Sequence, residues 1–167
     1  MDASYITPFV SSIQNVFTTM LQLSVEVGDP RIKTDGNASY DVSGVIGMSG
    51  DVMGSIVLSF PIDTAESVVS LFCGESLSSE SGDFADAIGE LVNMVSGGAK
   101  ASFTGKRVSI SCPSVVVGSN HSISQQKDVP CVVIPCITNC GEFSIEVAIQ
   151  DQPSEASTQE VSARSGA

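Results

Sequence analysis

Three oxygen-bearing side chains, Asp86, Glu90 and Asn93, stand at i, i+4 and i+7 within the run from Asp83 to Phe103. On an α-helix this spacing puts them in one row on successive turns. A carboxylate can pair with a cation, whereas an amide donates and accepts hydrogen bonds without carrying charge. Such a row could bind a basic group and hold a water molecule beside it. It could equally be the solvated face of an ordinary amphipathic helix, so the surrounding elements must decide. The neighbouring Gly97-Gly98 pair is a further hint, since glycine costs about 1 kcal/mol relative to alanine in a helix interior. Two glycines there suggest that something approaches this helix closely.

The opposite side of the same run carries Phe84, Ile88, Leu91, Val92, Val95, Ala99 and Phe103, one apolar stripe that must face a core. An earlier helix has the stripe Phe9, Ile13, Val16, Phe17, Met20 and Leu21, with Thr7 as its expected cap and Pro8 as its first position. Leu23 to Val27 reads as a short strand, and Thr34-Asp35-Gly36-Asn37 as part of a polar connection. Val42 to Met48 and Val52 to Phe60, joined through Ser49-Gly50-Asp51, read as a hairpin. Gly44, Gly47 and Gly54 in its arms point to bulges or close backbone approach. Asp63 and Glu66 have capping-box spacing ahead of a second helix that ends at Gly74. Val108 to Cys112 and Ser114 to Val117 read as strand on either side of Pro113. Val129 to Thr138 reads as a strand whose Pro130 and Pro135 fit only an edge or a bulge, and Glu142 to Ile149 as its hairpin partner. His121, in the loop between these strands, is expected to be exposed and without function.

The chain of 167 residues is long enough for one domain with a substantial core. Residues 1–150 form the expected domain, and residues 151–167, poor in apolar side chains, the expected disordered tail. Seven Lys and Arg against nineteen Asp and Glu give a net charge of -12, which repels phosphate backbones and anionic lipid. Nucleic acid and membrane partners are therefore not expected, and no apolar run has the length of a membrane helix. Five cysteines without a CxxC, and a single histidine, argue against a metal site and for reduced thiols in a cytoplasmic protein.

The chain also repeats. A shift of 75 residues lays Phe9, Ile13, Val16, Phe17 and Met20 on Phe84, Ile88, Leu91, Val92 and Val95. A strand and a hairpin with a Gly-acid turn follow each helix. The expected fold is α+β, with two helix–strand–hairpin units building a largely antiparallel six-stranded sheet packed by the long helices. Under the same shift Glu90 falls on Asn15 and Asn93 on Thr18, so only the second copy pairs a carboxylate with an amide.

Asp86-x3-Glu90-x2-Asn93, the following Met94-Val95-Ser96-Gly97-Gly98-Ala99-Lys100, and Pro113-Ser114-Val115-Val116 resemble the CheC/CheX/FliY phosphatases of bacterial chemotaxis, and most of all the CheX branch. The resemblance runs over nearly the whole expected domain. The proline of the family pattern follows its amide at a longer spacing than the 19 residues between Asn93 and Pro113, and Gly98 stands where CheX-like sequences place asparagine. The resemblance implies a phosphatase acting on the aspartyl phosphate of a CheY-like receiver, in chemotaxis or related two-component signalling. Its implied catalytic residues are Glu90 and Asn93, and its implied substrate contacts are Asp86, Gly97 and Pro113. It implies no cofactor or metal of the protein's own, Mg²⁺ being held by the receiver, and a homodimer joined through sheet strands of the C-terminal half. The alternative is a non-enzymatic module that binds a receiver or another signalling partner through the same helix face.

Overall fold

A computed structural model of the chain describes residues 2–34 and 39–153. In chain order they form α1 (Ala3–Leu21), β1 (Glu26–Val27), β2 (Arg31–Ile32), β3 (Val42–Gly50), β4 (Val52–Phe60), α2 (Ile62–Cys73), α3 (Gly82–Lys100), β5 (Val108–Ile110), β6 (Ser114–Val117), β7 (Val132–Thr138) and β8 (Gly141–Asp151). The fold is α+β and its one sheet is antiparallel throughout, in the order β1-β7-β8-β4-β3-β5. Two further pieces complete the edges: β2 pairs with β7, and β6 with β3. Six positions across the sheet are thus filled by eight strands, because each edge strand is broken once.

The two breaks are the same. From Val27 to Arg31 the edge advances four residues while β7 advances three, Cys136 to Val133. From Ile110 to Ser114 the other edge advances four while β3 advances three, Met48 to Val45. Each is a one-residue β-bulge, and a proline, Pro30 or Pro113, stands directly before the second piece. The internal repeat therefore extends to the irregularities. The edge pieces of each copy pair with the hairpin of the other, so the copies are interlocked.

Pro135 sits opposite the first bulge, which is where a missing N–H does no harm. Of the two places expected for it, edge or bulge, the bulge is the one it takes, since β1 and β2 cover the outer side of β7. Pro130 lies outside any strand.

α1 and α3 cross one face of the sheet. Phe17 stacks on Phe143 at 4.9 Å, and Phe60 on Phe143 at 5.2 Å. Ile88 and Val92 of α3 occupy the space above Gly44, where an added Cβ would lie 3.0 Å from Val92 Cγ1. The opposite face is covered by the segment between β6 and β7. His121 Nε2 shares a 2.8 Å hydrogen bond with Ser43 Oγ, Ser55 Oγ donates to Gln125 Oε1, and Val129 and Cys131 bury Ala148. His121 is therefore a half-buried fastener and not the exposed residue expected. On this face Lys33 forms a bidentate ion pair with Glu146 at 2.9 and 2.8 Å. Burial, with Glu146 close by, pushes the Cys131 thiol up to about 11, and burial pushes Cys136 up to about 12.

Several local signals were decided by tertiary partners. Asp2, and not Thr7, caps α1 by accepting from Ser4 N at 3.0 Å, which leaves Pro8 inside the helix. The capping box of α2 is not used. Asp41 Oδ2 accepts from Ile62 N at 3.0 Å, and Glu66 Oε1 accepts from Ser79 N at 3.1 Å. The strand expected over Leu23 to Val27 shortens to Glu26–Val27, with Leu23 and Val25 buried in the core. β8 continues to Asp151, whose carboxylate accepts from Tyr5 and Lys106, so ordered structure reaches past residue 150. The remainder of the expected tail, 154–167, and the loop residues 35–38 lie outside the described residues.

Gly54 of β4 has φ +143°, and an added Cβ would collide with the Ala148 carbonyl on β8. Strained backbone and a blocked site each cost about 1–3 kcal/mol. Gly54→Ala should therefore destabilise the fold by about 2–6 kcal/mol in urea unfolding, and a variant of wild-type stability would contradict this packing.

Candidate functional site

α3 begins where Ser81 accepts from Asp83 N at 3.3 Å and ends with Lys100 in its last turn, a charge arrangement that suits the helix dipole. Its apolar stripe (Phe84, Ile88, Leu91, Val92, Val95 and Ala99) is buried. Phe103, just beyond the helix, closes that end with its ring 5.7 Å from Tyr5 and 6.2 Å from Phe9.

α1 holds a second side of α3. Ser12 Oγ donates to the Val95 carbonyl at 2.7 Å in a buried contact, and the space a side chain at position 98 would need is filled by that hydroxyl. The close approach signalled by the glycine pair is thus internal at Gly98. Gly97 is different: nothing lies within 4 Å of where its Cβ would be.

The third side is held by the second bulge. Pro113 packs on Gly89, a buried helix glycine, with Pro113 Cγ 3.3 Å and Val115 Cγ2 3.6 Å from an added Cβ. At about 100° per residue, Asn93, Asp86, Gly97 and Glu90 lie roughly 40°, 60°, 80° and 100° around the helix from Gly89. All four therefore share one narrow stripe whose border is marked by Pro113. Glu90 and Asn93 are about 4.5 Å apart along the axis, Asp86 is about 6 Å before Glu90, and Gly97 about 6 Å beyond Asn93. Asp86, Glu90 and Pro113 are exposed, and Asn93 and Gly97 half-buried.

Five separate positions in the sequence, 86, 90, 93, 97 and 113, thus meet on one surface. Among the described residues the Glu90 and Asn93 side chains make no hydrogen bond to the protein, so both are free for an external partner. The surface contains a carboxylate, a neutral amide, an open glycine and a rigid proline. It has no nucleophile, and no group of three or more His, Cys, Asp or Glu that could hold a metal is found among the described residues. This constellation can pair a cation, orient a water and let another backbone come close.

Two residues that build the site were missed from the sequence. Gly89 was available as an isolated glycine inside a helical pattern, which signals close packing. Ser111, whose hydroxyl closes the bulge before Pro113, carried no signal, because its role depends on a register that only the sheet defines. In the first copy the positions of Glu90 and Asn93 are held by the exposed Asn15 and Thr18.

Comparison with known proteins points one way. The family model described as chemotaxis phosphatase CheX matches residues 42–137. The CheY-P phosphatase CheX of Thermotoga maritima is 32% identical over 126 residues, covering 74% of this chain and 81% of that protein. A CheC-like superfamily protein from Shewanella sp. PV-4 has 34% identity and a TM-score of 0.82, covering 90% of this chain and 99% of that one. The CheX-CheY-BeF3-Mg²⁺ complex from Borrelia burgdorferi contains a chain with 26% identity and a TM-score of 0.75, covering 88% and 98%.

Proposed function

This chain belongs to the CheX family of chemotaxis phosphatases, and on that premise we propose that the Glu90–Asn93 stripe of α3 dephosphorylates the aspartyl phosphate of a CheY-like response regulator. The observation that carries the reading is the stripe itself, a carboxylate and an amide one turn apart, without internal partners and bordered by Pro113.

The chemistry asks little of the phosphatase. Water attacks phosphorus as the bond between phosphorus and the aspartyl oxygen breaks, giving inorganic phosphate and a free carboxylate. Positioning and electrostatics supply most of the acceleration in phosphoryl transfer. Asn93 is suited to hold the attacking water in line, since its amide carries no charge against the phosphoryl oxygens. Glu90 would pair with the active-site lysine of the receiver and fix the orientation of the complex. Asp86 forms the rim, and Gly97 leaves room for the receiver to approach. The receiver would bring the Mg²⁺; the Borrelia burgdorferi complex contains CheX, CheY, BeF3 and Mg²⁺ together. A cytoplasmic location follows from the same reading, because the labile phosphate must be met where it is made.

Asn93→Ala should abolish the shortening of phosphoryl lifetime on the receiver and leave receiver binding within about tenfold, or about 1.4 kcal/mol. Asn93→Asp should fail as well, through repulsion. Full activity in the alanine variant would sink the mechanism, whereas binding without acceleration by the wild-type chain would identify an interaction module.

Loss of one partner from a charge pair that becomes buried on binding costs about 2–5 kcal/mol. Glu90→Ala should therefore act chiefly on affinity, as read by titration calorimetry with BeF3-loaded receiver. Unchanged affinity with reduced turnover would make Glu90 catalytic instead.

We also propose a homodimer, formed at the sheet edge away from α3. β1 and β2 form the rim of that edge outside β7, so the contact expected through strands of the C-terminal half falls to them, and Ile32 of β2, 60% exposed, is unpartnered there. A two-fold contact there leaves the α3 stripe of each subunit open. Light scattering should give twice 17.2 kDa, and a mass of one chain would defeat the proposal.

A further inference from the structure

The second bulge does more than interrupt an edge strand. An extra residue leaves ladder groups without partners, and here one hydroxyl takes up both. Ser111 Oγ accepts from Gly47 N at 2.9 Å and donates to the Cys112 carbonyl at 2.9 Å. Ser111 N meanwhile donates to the Gly47 carbonyl at 2.9 Å. The three-residue break is thereby tied at its first residue, and its last, Pro113, is set against Gly89.

The first copy shows that the tie is not demanded by the bulge itself. There Gly28 takes the place of Ser111 and Pro135 that of Gly47, and Gly28 N donates to the Pro135 carbonyl at 2.8 Å. Proline has no N–H to leave unpaired, so no hydroxyl is needed. The serine tie belongs to the copy whose helix carries Glu90 and Asn93, and it is the copy in which the proline after the break borders an open polar stripe. In the first copy the same stripe carries Asn15 and Thr18.

We propose that Ser111 is a positioning residue for the phosphatase reaction, acting through Pro113: its hydroxyl closes the bulge that holds the proline ring against Gly89 at the border of the receiver-binding stripe. This rests on the reading of that stripe as the phosphatase site. A receiver that reaches both Glu90 and Asn93 must lie against Pro113, so the height of the ring sets how the receiver seats. Asn93 stands on a helix that α1 and β3 also grip, at Gly98 and at Gly44, so a small shift of the proline ring leaves its hold on water in place. The effect of Ser111 is therefore on seating, with turnover at saturation maintained.

The test compares Ser111→Ala, Ser111→Thr and Gly89→Ala in the full chain. Ser111 and Cys112 are exposed, so water can take up the freed groups and the alanine variant should unfold at the wild-type temperature. Its KM for the phosphorylated receiver should rise about three- to tenfold at constant kcat, in line with the sensitivity of docked complexes to small displacements. The Kd for BeF3-loaded receiver should rise by the same factor. Threonine, which keeps the hydroxyl, should restore both. Gly89→Ala should raise KM in the same way, since its methyl presses on Pro113 while alanine favours the helix. Wild-type KM in Ser111→Ala, a loss confined to kcat, or failure of threonine to rescue would each overturn the proposal. A wild-type chain that leaves the phosphoryl lifetime unchanged would defeat the phosphatase reading, and the role of Ser111 with it.

Discussion

α3 must be gripped on three sides and left bare on the fourth, and the rest of the molecule is arranged around that constraint. Each grip uses a missing side chain. Gly44 lets Ile88 and Val92 settle onto β3, Gly98 admits the Ser12 hydroxyl of α1, and Gly89 receives Pro113. Close approach at three points fixes both the roll of the helix and its height, because packed interiors resist displacement by even a methylene. The roll determines which residues look outward. With the buried stripe and Gly89 committed, the remaining arc is the one that holds Asp86, Glu90, Asn93 and Gly97.

Much of this was legible in the sequence. The apolar periods of both long helices, the β3–β4 hairpin and the polar row were readable because each is a local pattern with a period of 2 or about 3.6, and the duplication showed as a 75-residue shift between two such patterns. What escaped was set by partners far along the chain. Asp41 caps α2 from 21 residues away, and no local rule ranks it above Asp63. β1 and β2 have two residues each, too short for any alternation to declare itself. Pro135 fits an edge or a bulge, and only the register of β1 and β2 on β7 decides between them. The row on α3 was readable as a row, yet its border was not, since Gly89 and Pro113 are joined only by the register of β6 on β3.

The back of the sheet obeys a different rule. Lys33 and Glu146 are 14% and 5% exposed, and charges so far from water are tolerated only when paired and well bonded. The pair joins the segment after β2 to the middle of β8, while Ser43, Ser59 and His121 form a chain of hydrogen bonds beside it. These contacts fasten the covering segment without involving α3. The site face and the back face can therefore differ in chemistry while sharing one sheet.

The exchange of edge strands between the two copies also determines when the molecule can come together. β4 and β8 meet at the middle of the sheet, joining residues 52–59 to residues 144–151. β1 and β2, near the start of the chain, find their places only on β7, close to its end. During synthesis the first copy leaves the ribosome with a hairpin that has neither neighbour: β5 and β6 follow only after α2 and α3, and β8 later still. Contacts of such long range close slowly and leave strand edges exposed in the meantime. A duplication that might have yielded two independent folding units has instead produced one that assembles only as a whole.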